Sequence, residues 1–327
     1  MEISGSRAFV TGGAGFIGSH LVDSLLRQGC DVTVLDNFDD FYQGKEANVA
    51  PHASNPRFHL VRGSVLDYGL LSRSMKGVAI VFHLAAQAGV RYCLENPRKA
   101  HEVNVTGTIN VLEACRELGI QKVVAASSSS VYGNPVKVPI SETHPLNPTN
   151  PYGASKLAAE KYCMSYHISY GLPITCLRYF SVYGPRGRPD QVLYSMAQRV
   201  AQGNPPEIFG NGNQSRDFTF ISDIVSGTVM AALRDDSVGE VFNLGFGAEF
   251  SMLEVSQRII QHFGARMKPS YRQAYQGDFN RTLCDNRKAR DMLGWNPQVS
   301  FQRGLEQFLD WFDSSRVPLI QGGRTSS

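Results

Sequence analysis

Tyr152 and Lys156 stand at i and i+4 in Pro151-Tyr152-Gly153-Ala154-Ser155-Lys156. In a helix that spacing puts both on one face. An ammonium beside a phenol stabilises the phenolate and lowers its pKa toward working pH. Such a tyrosine can take the proton of a sugar hydroxyl while the carbon gives hydride to a nicotinamide. Tyr-x-x-x-Lys pairs are also common on solvated helix faces, so the pair gains meaning from its company. In Ala126-Ser127-Ser128-Ser129-Ser130-Val131-Tyr132-Gly133, four consecutive hydroxyls follow a strand-like run. At the carboxyl end of a sheet strand they can share a proton relay or bond a ligand; a plain polar turn would use serines too.

A second group of residues points to a dinucleotide. In Thr11-Gly12-Gly13-Ala14-Gly15-Phe16-Ile17-Gly18, a strand gives way to a helix and glycine recurs at every third position. One glycine permits the tight turn, one lets a pyrophosphate approach the backbone, and one lets the helix pack close to the sheet. The helix N-terminus adds N–H donors and partial positive charge. Asp36 closes the next strand-like run, Asp31-Val32-Thr33-Val34-Leu35-Asp36. Its carboxylate suits an adenosine ribose and would repel a 2′-phosphate, and no arginine lies nearby in the sequence, so NAD is favoured over NADP. Asp67 suits the adenine amine or a helix N-cap equally.

These groups need a scaffold. Strand-like runs at 7–11, 31–36, 57–61, 78–84 and 122–126 alternate with helical patterns at 15–29 and 98–118. That alternation predicts a Rossmann-type doubly wound parallel α/β sheet. After about residue 180 the elements shorten, with turn signals at Gly203-Asn204-Pro205-Pro206 and Gly210-Asn211-Gly212-Asn213. The expected organisation is a cofactor domain over 1–180 with later segments returning to it, a smaller α/β substrate domain over 181–317, and a flexible tail over 318–327.

Composition limits the partners. The 327 residues hold 32 basic and 29 acidic side chains and 42% hydrophobic residues. This is enough apolar matter for a full core, and no basic run suits nucleic acid or a membrane surface. Six cysteines without paired spacing argue against zinc or a disulfide framework. The most apolar run, 78–86, is too short to span a bilayer, so a soluble cytoplasmic protein is expected.

In combination the motifs resemble the extended short-chain dehydrogenase/reductase family, over nearly the whole chain. They are most similar to its nucleotide-sugar 4-epimerases. The carriers are the glycine turn, Asp36, His83-Leu84-Ala85-Ala86, Asn104-Val105-Thr106-Gly107-Thr108, the serine run, Tyr152-x-x-x-Lys156 and Arg216-Asp217-Phe218. The resemblance implies tightly held NAD and a homodimer through a four-helix bundle. It implies Tyr152 as base, Lys156 as its tuner and ribose anchor, and Ser128 as assisting hydroxyl. Gly12, Gly15, Phe16, Ile17, Gly18, Asp36, Asn37, Asp67, Leu84, Ala85, Ala86 and Asn104 would hold the cofactor. Gln87, Ser129, Ser130, Ser181 and Arg186 would meet the sugar, with Phe209 on the uracil, Arg216 on the diphosphate and Asp278 or Arg281 completing that end.

Dehydrating and decarboxylating members carry acids within the hydroxyl segment, where this chain has Ser129 and Ser130. Among the 4-epimerases, the segments 35–42, 85–92 and 182–190 look most like UDP-glucuronate 4-epimerases. Ser181 stands where galactose-type enzymes carry asparagine. The expected reaction is therefore UDP-glucuronate to UDP-galacturonate through a 4-keto sugar. The alternatives are a UDP-glucose or UDP-N-acetylglucosamine 4-epimerase, a decarboxylase or 4,6-dehydratase, an enzyme releasing NADH, and a non-catalytic NAD-binding regulator.

Overall fold

The computed structural model describes residues 3–274 and 279–315. Seven strands form one parallel sheet: β1 (Arg7–Thr11), β2 (Asp31–Asp36), β3 (Phe58–Arg62), β4 (Ile80–His83), β5 (Lys122–Ser128), β6 (Ile174–Tyr179) and β7 (Val241–Leu244). Their order is β7-β6-β5-β4-β1-β2-β3, with β1 pairing Ala8 to Val32 on one side and to Ile80 on the other. The topology reverses between β1 and β4, and ligands bind outside the carboxyl ends of strands at such a point.

Every residue of β4 and β6 is buried, as in strands covered on both faces, and the polar His83, Thr175 and Arg178 are hydrogen-bonded there. Helix α1 (Phe16–Arg27) buries Phe16, Leu21, Val22, Leu25 and Leu26 against the sheet. Each such side chain taken out of water contributes about 1.5–3 kcal/mol. On the other face lie α2 (Gly107–Leu118) and α3 (Pro151–Tyr170). The side chain of Asn150 caps α3 by accepting from the Gly153 amide at 2.9 Å, and Pro151 suits the first turn.

The helical pattern read over 98–118 is continuous from Pro97, but it contains a π turn at Glu102–Thr106 before α2. Such turns re-aim side chains. Here the turn carries Asn104.

After β6 come helices α4 (Val192–Ala201), α5 (Ile221–Leu233), α6 (Met252–His262) and α7 (Phe301–Ser314), with three two-stranded pairs. α5 packs against β5 and β6 beside α1, whereas α4 packs on α6 and α7. Buried Asp217 ties later segments together, accepting from the amides of Phe246 (2.8 Å), Gly247 (2.9 Å) and Cys284 (3.0 Å). Burial raises its pKa to about 6 against those bonds. β7 belongs to the main sheet although it follows α4 and α5 in the chain. Among the described residues, no helix is long and apolar enough to cross a membrane. The expected tail over 318–327 lies outside the described residues.

Candidate active site

A cleft with an empty volume of about 1080 Å³ runs along the carboxyl ends of β1, β2, β4 and β5. The glycine turn forms its floor. Gly12 has φ +71°, and a Cβ there would lie 2.9 Å from the backbone of Ala85. A Cβ on Gly18 would overlap the Gly12 carbonyl. The turn, the start of α1 and the loop after β4 therefore pack backbone against backbone. No side chain caps α1 and no acid lies in its first turn. Its N–H groups and dipole are available to an anion at the cleft floor.

Asp36 is buried at the end of β2 and lines the same cleft with Asn37. One carboxylate oxygen accepts from the Ala14 amide at 3.1 Å and the other from the Phe38 amide at 2.9 Å. Burial pushes its pKa up, opposed by those amides and by Lys45. The acid thus ties the second strand to the glycine turn.

Leu84, Ala85, Ala86 and Gln87 form one wall. Thr11 Oγ1 accepts from the amides of Leu84 (3.2 Å) and Ala85 (3.1 Å). Its hydroxyl has His83 Nδ1 at 2.8 Å, and His83 Nε2 lies 2.9 Å from Thr108 Oγ1, which donates to the Asn104 carbonyl at 2.6 Å. Burial lowers the His83 pKa to about 3, so the ring is neutral. The chain of bonds then fixes its tautomer: Nδ1 accepts from Thr11 and Nε2 donates to Thr108. Asn104 does not line the cleft. Its Oδ1 accepts from the Gln87 amide at 2.7 Å, while its Nδ2 donates to the Gln87 carbonyl (3.1 Å) and to Ser155 Oγ (2.9 Å). It clamps the wall to α3.

Tyr152 and Lys156 face the cleft from α3. Lys156 is buried and its ammonium donates to the Ala126 carbonyl. Burial lowers its pKa to about 8. The Ser128 hydroxyl bonds the Tyr152 oxygen and favours phenolate. The net direction for Tyr152 is the reverse of the sequence expectation: burial pushes its pKa up. The leading opposing charge is Arg188, with Lys156 giving no leading contribution. Arg188 enters the cleft while its guanidinium is paired with Asp190 at 2.8 and 3.0 Å.

These features match known proteins. The family described as GDP-mannose 4,6 dehydratase covers residues 9–308. The chain belongs to this family, within the extended short-chain dehydrogenases/reductases. It is similar to a UDP-glucose 4-epimerase of Mycolicibacterium smegmatis, 38% identical over 94% of this chain and 98% of that one. It is also similar to UDP-glucuronic acid decarboxylase 2 of Arabidopsis thaliana, 36% identical over 93% of this chain and 68% of that one. Among solved structures, UDP-glucuronic acid 4-epimerase of Bacillus cereus, in complex with UDP-glucuronic acid and NAD, superposes with a TM-score of 0.89. It is 35% identical over 94% of this chain and 99% of that one.

In this extended short-chain dehydrogenase/reductase, the remaining sequence candidates are more scattered. Asp67 is the N-cap of the short helix Tyr68–Ser74, accepting from the Leu70 amide at 2.9 Å, and does not line the cleft. Ser129 and Ser130 form the turn after Ser128, and the Ser130 amide donates to Ser128 Oγ at 3.1 Å. A Cβ on Gly153 would lie 2.5 Å from the Ser130 carbonyl, which fixes glycine after Tyr152. Ser181 follows β6, its carbonyl accepting from the Thr219 amide at 3.1 Å.

Arg186 has φ +62° and is paired with Asp23 on α1 at 2.9 Å, so it faces away from the cleft. Arg188, two residues on, is the arginine inside; the shared loop offered no sequence signal to separate them. Phe209 carries the Arg91 guanidinium 4.4 Å over its ring. Arg216 donates to the Ser215 carbonyl at 2.9 Å. Arg281 is paired with Glu249. Asp278 lies outside the described residues.

Sequence reading also missed Tyr42, whose hydroxyl approaches the glycine turn, and the buried pair Arg178–Glu160. The pair joins β6 to α3, and only the fold brings the two together.

Proposed function

We propose that the chain is an NAD-dependent UDP-sugar 4-epimerase whose preferred substrate is UDP-glucuronate. The observation that carries this reading is the absence, among the described residues, of an uncommitted carboxylate beside Tyr152. Glu160 is bonded to Arg178 and Ser127, Asp190 is bonded to Arg188, and Glu142 accepts from the Asn243 amide. The group bonded to the tyrosine oxygen is the Ser128 hydroxyl. Dehydration needs an additional acid and base, and the residues that follow Ser128 in the hydroxyl segment, Ser129 and Ser130, supply no carboxylate.

The cleft fits NAD in shape and chemistry. The backbone-only floor at Gly12 and Gly18 leaves room for a pyrophosphate, the α1 N-terminus suits its charge, and Asp36 suits a ribose diol without a 2′-phosphate. Asn37, Leu84, Ala85 and Ala86 would line the rest. NAD held there would supply a reversible hydride acceptor for C4 of the sugar.

Tyr152, as phenolate, takes the 4-hydroxyl proton at its phenol oxygen and gives it back after the 4-keto sugar has turned. Ser128 donates to that oxygen and stabilises the phenolate that accepts the proton. Lys156 holds positive charge behind it. Gln87, Ser129, Ser130 and Ser181 would bond the C6 carboxylate through neutral donors. That holds the β-keto acid in a conformation that resists loss of carbon dioxide. Arg188 takes the place at the sugar first given to Arg186. Phe209, Arg216 and Arg281 would serve the uridine diphosphate. Exposed Tyr162 (42%), Ile168 (80%) and Tyr170 (59%) on α3 support a homodimer through α2 and α3.

Purified protein incubated with UDP-glucuronate, without added cofactor, is expected to yield UDP-galacturonate on chromatographic separation. A UDP-pentose, or no product, refutes the uronate reading; faster conversion of UDP-glucose or UDP-N-acetylglucosamine moves the substrate within the class. Turnover should also depend on Lys156 as a cation. Its folded pKa is depressed to about 8, so the ammonium is present below that pH and lost as pH rises through it. The kcat profile should fall on that alkaline limb, and a flat profile there would remove Lys156 from the charge balance.

A further inference from the structure

Glu160 lies one helical turn beyond Lys156, so Tyr152, Lys156 and Glu160 follow one another at i, i+4 and i+8 along α3. Only 3% of Glu160 is exposed. One carboxylate oxygen accepts from Arg178 Nη2 at 2.6 Å. The other accepts from Arg178 Nε at 2.9 Å and from Ser127 Oγ at 2.6 Å. The fork is itself braced, because Arg178 Nη1 donates to the Tyr132 hydroxyl (2.7 Å) and to the Glu142 carbonyl (3.1 Å). The Tyr132 hydroxyl in turn donates to Asn243 Oδ1 on β7 at 2.7 Å.

Ser127 stands between the two residues that touch the reacting pair. Ala126 before it accepts from Lys156, and Ser128 after it bonds Tyr152. In a strand, neighbouring residues move together, so a bond that pins Ser127 sets the height of both.

We propose that Glu160 is a positioning residue: its carboxylate, fixed by Arg178, holds the end of β5 through Ser127 so that Lys156 and Tyr152 meet their partners in one fixed geometry. This rests on Tyr152 acting as the base. Glu160 touches neither substrate nor cofactor in this arrangement. Its negative charge also faces Lys156. The other titratable groups facing Lys156 are Cys163 on α3, Cys176 on β6 and neutral His83 on β4. Glu160 opposes the downward pull of burial on the lysine.

Two variants, each as the full chain loaded with NAD, test the proposal. Glu160→Gln removes the charge; Ser127→Ala cuts the link to the strand and leaves the ion pair whole. Both are expected to speed amide hydrogen exchange in the segment 126–130. Both should also lower kcat on UDP-glucuronate by about 10- to 100-fold while KM stays within about twofold. The alkaline limb of kcat should move to lower pH in Glu160→Gln and stay in place in Ser127→Ala. Unchanged exchange in both variants overturns the proposal whatever turnover does. So does a lowered melting temperature with kcat per folded molecule unchanged, which marks a structural role only. If Glu160→Gln does not fold, Ser127→Ala decides. If the unaltered chain epimerises neither UDP-glucuronate nor a UDP-hexose, the epimerase reading fails by itself, and the exchange measurement still judges Glu160.

Discussion

Replacing Tyr152 by phenylalanine is expected to reduce turnover by roughly a hundredfold to ten-thousandfold, the usual contribution of a positioned acid–base group. The substitution removes one oxygen whose bonding partner is Ser128. The ring keeps its place on α3, the glycine turn is untouched, and the Lys156 bond to Ala126 survives. Cofactor content should therefore equal that of the unaltered protein, measured as NAD released on denaturation. The combination is what discriminates. Lost turnover with retained NAD identifies a proton-transfer group; loss of both identifies a binding residue. Turnover within tenfold of the original would refute Tyr152 as the base. Because burial raises the pKa of this phenol, ionisation has to be drawn out by Ser128, by nearby positive charge and by the substrate hydroxyl it serves.

The largest effect on stability is expected at Arg178. Its side chain and that of Glu160 are 4% and 1% exposed. Removing one member of a buried pair strands the other's charge, which typically costs roughly 3–5 kcal/mol. Arg178→Met should therefore lower the unfolding free energy by about that amount in a urea titration, the largest loss among single substitutions away from the glycine turn. Replacing both partners by apolar residues should recover most of the loss, since an apolar pair of similar volume leaves no charge to desolvate. Turnover should not recover with it, because Ser127 would still lack its acceptor. A cost below about 1 kcal/mol for the single change would instead mean that water reaches the pair in solution.

The parts of the site that were legible in the sequence are those written along one stretch of chain. Gly12, Gly15 and Gly18 announce a turn into a helix N-terminus, Asp36 marks the end of the next strand, and Tyr152 and Lys156 share one helix face. The fold carries all of them to one cleft. Arg188 was not separable from Arg186, because the choice depends on Asp23 of α1 and on a left-handed backbone at Arg186. Glu160 gave no signal because its partner, Arg178, lies on a different element, strand β6 of the sheet. Asn104 was read as a cofactor contact. Its actual partners, Gln87 and Ser155, come from two different elements, and a π turn aims it at them. The Tyr152 pKa moves opposite to the direction that the spacing implies for a related reason: spacing reports neighbours in sequence but not the depth at which they are buried.

The order of the strands has a consequence for a chain emerging from the ribosome. β6 is fully buried in the finished sheet, yet its outer neighbour, β7, is synthesised only after α4, α5 and one complete two-stranded pair have appeared. Until then β6 is a bare edge whose backbone is open to pairing with another chain. The nascent protein thus passes through an interval in which its cofactor half is nearly built and its sheet is unsealed. The same feature means that a gene cut after residue 180 would encode a sheet with that edge left permanently open.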